Sequence, residues 1–286
     1  MSTQPVAAHA SAAPPLVNLA DFEALAHQRL DAQSSTLLET VATTMLPEPS
    51  RGPLWFELCW QPDRGATLAL LQRAKAAGYE AQVLTVDAPC SGARDRERRA
   101  RFPLPDGVRA VNLMSSSAAP GAASAGLERL SSGALCNGLL QHAPTWHDVQ
   151  WLSGVTRLPL LLKGVLHPDD AAQALALGVD ALIVSNHGGR TLDGALATAQ
   201  ALPRIVERVG GAMPLLVDGG IRRGTDVLKA LALSVHAVLV GRLVAQALAV
   251  GGAPAAALCL RLLRDEFESP WRCAAAPRWP TSGPHC

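Results

Sequence analysis

From Leu54 onward, short apolar runs alternate with longer stretches whose apolar residues recur at helical spacing. Strands are predicted at Leu54–Leu58, Ala81–Val86, Leu158–Leu162, Ala181–Val184, Pro214–Val217 and Ala237–Val240. Helices are predicted at Thr67–Ala77, Pro168–Leu177, Pro203–Val209, Thr225–Leu233 and, more weakly, Leu243–Val250. Continuous apolar strands of this kind are buried on both faces, and their alternation with helices argues for βα units around a parallel sheet. Asn18–Leu30 reads as an opening helix with Phe22, Leu25, Ala26 and Leu30 on one face. Gly78 and Gly178 stand where helix C-caps need positive φ, and Pro168 and Thr225 stand near helix starts.

Between Asp87 and Pro159 the rhythm lapses. Arg94–Arg101 is dense in charge and gives way to Ser/Ala/Gly-rich sequence, which predicts a long loop over about residues 90–150, a lid or an excursion. Met1–Pro15 is Ala/Ser/Pro-rich. The expected organisation is therefore a disordered start (1–17), one folded domain (18–268) and an irregular tail (269–286).

Each of the last four strands runs directly into polar or glycine residues: Lys163-Gly164, Ser185-Asn186-His187-Gly188-Gly189-Arg190, Asp218-Gly219-Gly220 and Gly241-Arg242. Lys163, His187, Asp218 and Gly241 are 24, 31 and 23 residues apart, one βα unit each time. Chemistry at every repeat favours a (β/α)₈, TIM-type barrel, whose strand ends converge on one mouth, over an open sheet. Six strands are recognisable where a closed barrel needs eight, so the barrel is expected to be incomplete.

The residue types at these ends suggest an anion site and a proton acceptor. Gly219-Gly220 and Gly241 bring backbone N–H groups close to a phosphate, and Arg242 and Arg222 add charge; tight βα turns alone would also use such glycines. His187 is a base suited to neutral pH, and Arg190, three residues on, is a bidentate carboxylate clamp. Asp87 can hydrogen-bond the imidazole. Lys163 needs an anionic partner, either a reduced flavin or a carboxylate such as Asp87 or Asp218.

Composition limits the alternatives. The 286 residues are 49% hydrophobic and 17% charged with formal charge +1, which gives no reason to expect a nucleic-acid partner. Six scattered cysteines without C-x-x-C spacing suit reduced thiols, and no metal site is expected. No Lys or Arg precedes Arg29, as a secretory signal would require. The apolar stretch Leu243–Leu260 is interrupted by Gln246, Gly251, Gly252 and Pro254, a poor membrane span. A soluble, cytoplasmic protein is the expectation.

The runs SNHGGRTLDG (Ser185–Gly194), LLKGV (Leu161–Val165), VDGGIRRGTDVLKALAL (Val217–Leu233) and VGR (Val240–Arg242) closely resemble the FMN-dependent α-hydroxy-acid oxidases and dehydrogenases. WFEL (Trp55–Leu58) and LTVDAP (Leu84–Pro89) extend the likeness, which covers about Trp55 to Glu268. The resemblance implies an FMN cofactor and oxidation of an L-2-hydroxy acid to a 2-oxo acid, with oxygen or another acceptor. It implies His187 as base, Asp87 as its partner, and Arg190 and Arg94 as carboxylate clamps. It further implies Lys163 at the flavin N1/O2 edge, Thr85 and Ser185 against the isoalloxazine, and Asp218, Gly220, Arg222, Gly241 and Arg242 around the ribityl phosphate. Association as a homo-oligomer is an option. The isopentenyl-diphosphate isomerases of the flavin type are disfavoured, because the His–Arg pair suits a hydroxy-acid carboxylate.

Three departures accompany the likeness. The block carrying the first two barrel strands is not recognisable. Cys59 stands where the family has an active-site tyrosine, beside Glu57 in place of a glutamine, and Tyr79 is the only tyrosine. The tail Ser269–Cys286 no longer resembles a last helix. The alternative is thus a truncated, impaired or silent member that binds flavin weakly or not at all.

Overall fold

The computed structural model describes residues 17–29, 53–61, 63–88 and 143–273. Among them a six-stranded, wholly parallel sheet runs in sequence order. The strands are β1 (Trp55–Cys59), β2 (Ala81–Thr85), β3 (Leu160–Lys163), β4 (Ala181–Val184), β5 (Leu215–Val217) and β6 (Ala237–Val238). The helices are α1 (Leu19–Arg29), α2 (Arg64–Ala76), α3 (Trp146–Val155), α4 (Pro168–Ala176), α5 (Thr198–Val209), α6 (Gly224–Ala232) and α7 (Arg242–Cys273). Consecutive order with a helix in each crossover is the topology of a (β/α) barrel, of which the described residues supply six strands.

Two apolar layers hold it. Leu84, Leu160, Leu162 and Leu182 point outward and pack with Leu71, Leu152, Ala171, Leu202 and Ile205 of the helices. Each such leucine contributes about 1.5–3 kcal/mol by leaving water. The opposite face (Ala81, Val83, Leu161, Ala181, Ile183, Leu216) is the barrel interior. Strands β2 to β5 are buried on both faces, whereas the inner face of β1 (Trp55, Glu57 and Cys59) and Ala237 of β6 are partly open to solvent. These edges are where two further strands would close a barrel.

Several elements differ from expectation. Helix α3 falls inside the stretch whose pattern lapsed; Asp148 caps it by accepting from the Thr145 N–H (2.9 Å) and hydroxyl (2.7 Å). Helix α5 starts at Thr198 and passes through Pro203, because Ala201, Leu202, Ile205 and Val209 form one buried stripe across it. Helix α7 runs to Cys273, with its regular geometry interrupted at Gly251 and Gly252. By length and composition alone its Arg242–Ser269 part is long and apolar enough to cross a membrane, a test that core helices also pass. In this fold α7 packs on α1 and α6, and Phe22, Leu25, Ala247 and Cys259 form their shared core. The N-terminal 1–16, the charged loop with Arg94, and the tail beyond 273 lie outside the described residues.

Candidate active site

Since all strands are parallel, their C-terminal ends gather the predicted residues at one mouth. The pair His187 and Asp87, 100 residues apart, meets there: Nδ1 lies 3.1 Å from Asp87 Oδ1. Asp87 follows β2 and His187 follows β4, so the sheet order itself brings them to either side of β3. The His187 backbone is unusual for a non-glycine residue, with φ of 54°. That turn is held by the His187 N–H donating to Ser185 Oγ (3.0 Å), and Ser185 is fully buried. Backbone strain at such a position is expected where a side chain must be aimed.

Next to this turn, the Arg242 guanidinium donates to the Gly188 carbonyl at 3.1 Å. A Cβ on Gly188 would stand 3.1 Å from the same guanidinium nitrogen, and the φ of 63° at this position favours glycine. The β4 turn is thereby tied to the first residue of α7.

A cavity of about 570 Å³ opens at this mouth. Lys163, His187 and Arg190 line one side, and Asp218, Gly220 and Arg222 another. Gly241 and Arg242 line it where α7 begins, and Leu19 and Ala20 of α1 line it as well. Of the predicted site residues, Arg94 lies outside the described residues, and Thr85, Asp87 and Ser185 are not part of the lining.

Lys163 meets carboxylates, one of the two expected partner types, but the nearest is Glu57 rather than Asp87 or Asp218. Lys163 Nζ lies 2.9 Å from Glu57 Oε1 and only 3.9 Å from Asp218 Oδ2. Glu57 Oε1 also accepts from Thr85 Oγ1 at 2.8 Å. Burial pushes the Glu57 carboxyl up, but the Lys163 charge and hydrogen bonds from Lys163 and Thr85 outweigh it and leave it below its usual value. Burial pushes Lys163 down, and the carboxylates of Glu57, Asp218 and Asp87 bring it above its usual value. Both are therefore charged at neutral pH. Asp218 is raised, chiefly by burial, against a hydrogen bond from Ser185 and the charge of Lys163. Burial, then the Glu57 charge, raises the Cys59 thiol, so it is no thiolate nucleophile at neutral pH.

In the sequence, Glu57 stands out only as a glutamate where the family has glutamine. Its partner could have been foreseen from alternation, since Glu57, Cys59, Thr85 and Lys163 share the inner face once β1, β2 and β3 are neighbours. The α1 contribution carried no signal beyond an apolar stripe.

The match to a family model described as FMN-dependent dehydrogenase extends over residues 4–279. The chain belongs to that family. The match reaches further at both ends than the motifs alone. An L-lactate oxidase of Nostoc sp. is 44% identical over 269 residues, covering 86% of this chain and 71% of that protein. An L-lactate oxidase of Alicycliphilus denitrificans is 47% identical, covering 82% and 62%. Among solved structures, a mandelate oxidase variant with the C4a-OH-FMN adduct superposes with TM-score 0.67 at 40% identity, covering 79% of this chain and 60% of that one. The chain thus spans about three-fifths to seven-tenths of its relatives' length.

The family's cofactor is FMN, and this mouth fits it. Asp218 Oδ1 is buried without a hydrogen-bond partner. A Cβ built on Gly220 or Gly241 would meet nothing within 4 Å, so both backbones face open space. Lys163, Arg222 and Arg242 supply cations around that space.

Proposed function

We propose that this chain binds FMN and oxidises an L-2-hydroxy acid to the 2-oxo acid. The observation that carries the reading is the Asp87–His187 pair at 3.1 Å, with His187 lining the same cavity as Arg190, Lys163 and the glycine turns after β5 and β6. Arg190, with Arg94, clamps the substrate carboxylate through its planar fork. His187 takes a proton from the substrate, and Asp87, fixed on Nδ1, stabilises the imidazolium that results. Gly220, Gly241, Arg222 and Arg242 hold the phosphate, with Asp218 on the ribityl chain. Thr85 and Ser185 support the ring system, and Lys163 faces its N1/O2 edge. When bound, FMN supplies a two-electron acceptor that oxygen or another acceptor reoxidises. The relatives named lactate oxidase and the mandelate oxidase structures support a small 2-hydroxy acid as substrate.

A second reading, an impaired or silent flavin binder, is favoured by the exposed inner face of β1 and by Cys59 at a position where a phenol would be needed. The test is anaerobic addition of L-lactate, glycolate or L-mandelate to FMN-reconstituted protein. The parent should bleach, and His187→Gln should keep its yellow colour without bleaching. A parent that stays yellow supports the silent binder, and loss of colour in His187→Gln would mean that the imidazole is structural.

A further inference from the structure

We propose that Glu57 is a positioning residue for the FMN reading above: it holds Lys163 and Thr85 through one carboxylate oxygen and offsets the positive charge that Lys163 presents to the flavin, keeping the reduction potential low. Glu57, Thr85 and Lys163 come from three neighbouring strands and share the inner face, with Cys59 opposite Thr85 and Thr85 opposite Lys163. Oε1 of Glu57 accepts from the Thr85 hydroxyl at 2.8 Å and from the Lys163 ammonium at 2.9 Å. Both donors are buried, so neither is satisfied by bulk water.

The charge balance follows. Lys163 faces Glu57 at 2.9 Å and Asp218 at 3.9 Å, with Asp87 close enough to contribute to its field. One ammonium is thus matched by more than one carboxylate. Two-electron reduction of a flavin leaves negative charge near N1 and O2, which a nearby cation favours and a nearby anion disfavours. A glutamine at 57 could keep a hydrogen bond to each donor but carries no charge. The carboxylate therefore acts on the electron equilibrium, while the amide would act on geometry alone.

The experiment compares the FMN-reconstituted parent with Glu57→Gln, by redox titration against dyes of known potential and by fluorescence titration of FMN. The variant is expected to shift the reduced-to-oxidised ratio at fixed potential at least tenfold toward reduced flavin, about 30 mV upward for a two-electron couple. Affinity for oxidised FMN, whose ring is neutral, should stay within about twofold, a combination that a purely structural role would not produce. FMN bound with the same potential in both proteins would overturn this inference alone. A parent that takes up no FMN would overturn the proposed function and this inference with it.

Discussion

Gly164 offers a way to disturb the Asp87–His187 pair without touching either residue. It follows Lys163 at φ of 111°, and a Cβ built there would stand 2.5 Å from both Cβ and Cγ of Asp87 and 2.8 Å from Oδ1. Carbon atoms in contact rest about 3.5–4.0 Å apart, so Gly164→Ala must displace the Asp87 side chain by roughly 1 Å. The 3.1 Å bond to His187 cannot survive that shift. Two costs add: about 1–3 kcal/mol for a side chain at such a φ, and about 1.5–3 kcal/mol for a hydrogen bond to a charged group. A loss of about 3–5 kcal/mol should lower the melting temperature by about 10 °C for a domain of this size. The assay is urea unfolding of four proteins: parent, Gly164→Ala, Asp87→Gly and the double variant. Removing the Asp87 side chain removes the three nearest atoms to a Cβ at position 164, so in that background Gly164→Ala should cost chiefly the backbone part. The expected coupling is about 2 kcal/mol. Equal cost in both backgrounds would refute the collision and the steric link between the β3 turn and the base.

Arg190→Lys should raise the substrate concentration for half-maximal bleaching about tenfold or more while sparing FMN affinity, since one ammonium cannot reproduce a two-pronged clamp; unchanged saturation would remove Arg190 from carboxylate binding. Asp218→Asn should stabilise the FMN-free protein at pH 7 by about 1 kcal/mol, because a buried carboxylate with an unpartnered oxygen is replaced by a neutral amide, and should weaken FMN binding. The sign is that of an acid raised on folding: the native state holds the extra proton, so parent stability falls as pH rises from 3.8 through the folded value, and urea midpoints against pH should lose that slope in the variant. Glu57 behaves oppositely. Its lowered value adds stability above 4.5 that is lost as pH falls through the folded value, and Glu57→Gln should flatten that acid limb. Cys259, fully buried with its thiol pushed up to about 11 by burial, should resist iodoacetamide at pH 8 in peptide mapping of native protein.

The sheet was legible because its strands are buried on both faces and read as unbroken apolar runs; β4 has the predicted bounds. Helix α3 escaped because Val149 and Leu152 are its only buried residues among Ser/Ala/Gly-rich neighbours, although Thr145 and Asp148 carried a capping signal. The start of α5 was misplaced because Pro203 imitates a first helical position. At the site, His187, Arg190 and the glycine turns could be read from order along the chain, since each follows a strand. The Glu57–Lys163 bond needs a further step, the strand order that sets β1, β2 and β3 side by side with Glu57, Thr85 and Lys163 on one face. The exposed inner face of β1 likewise became visible only when its outer face was seen to be the buried one.

The flavin absorbance of FMN-reconstituted protein during anaerobic addition of an L-2-hydroxy acid is the most direct measurement of whether this chain brings base, clamp and cofactor together. The account predicts loss of the visible band on adding the L-acid, none with the D-acid, and recovery on admitting air. A spectrum indifferent to every L-2-hydroxy acid offered would contradict it.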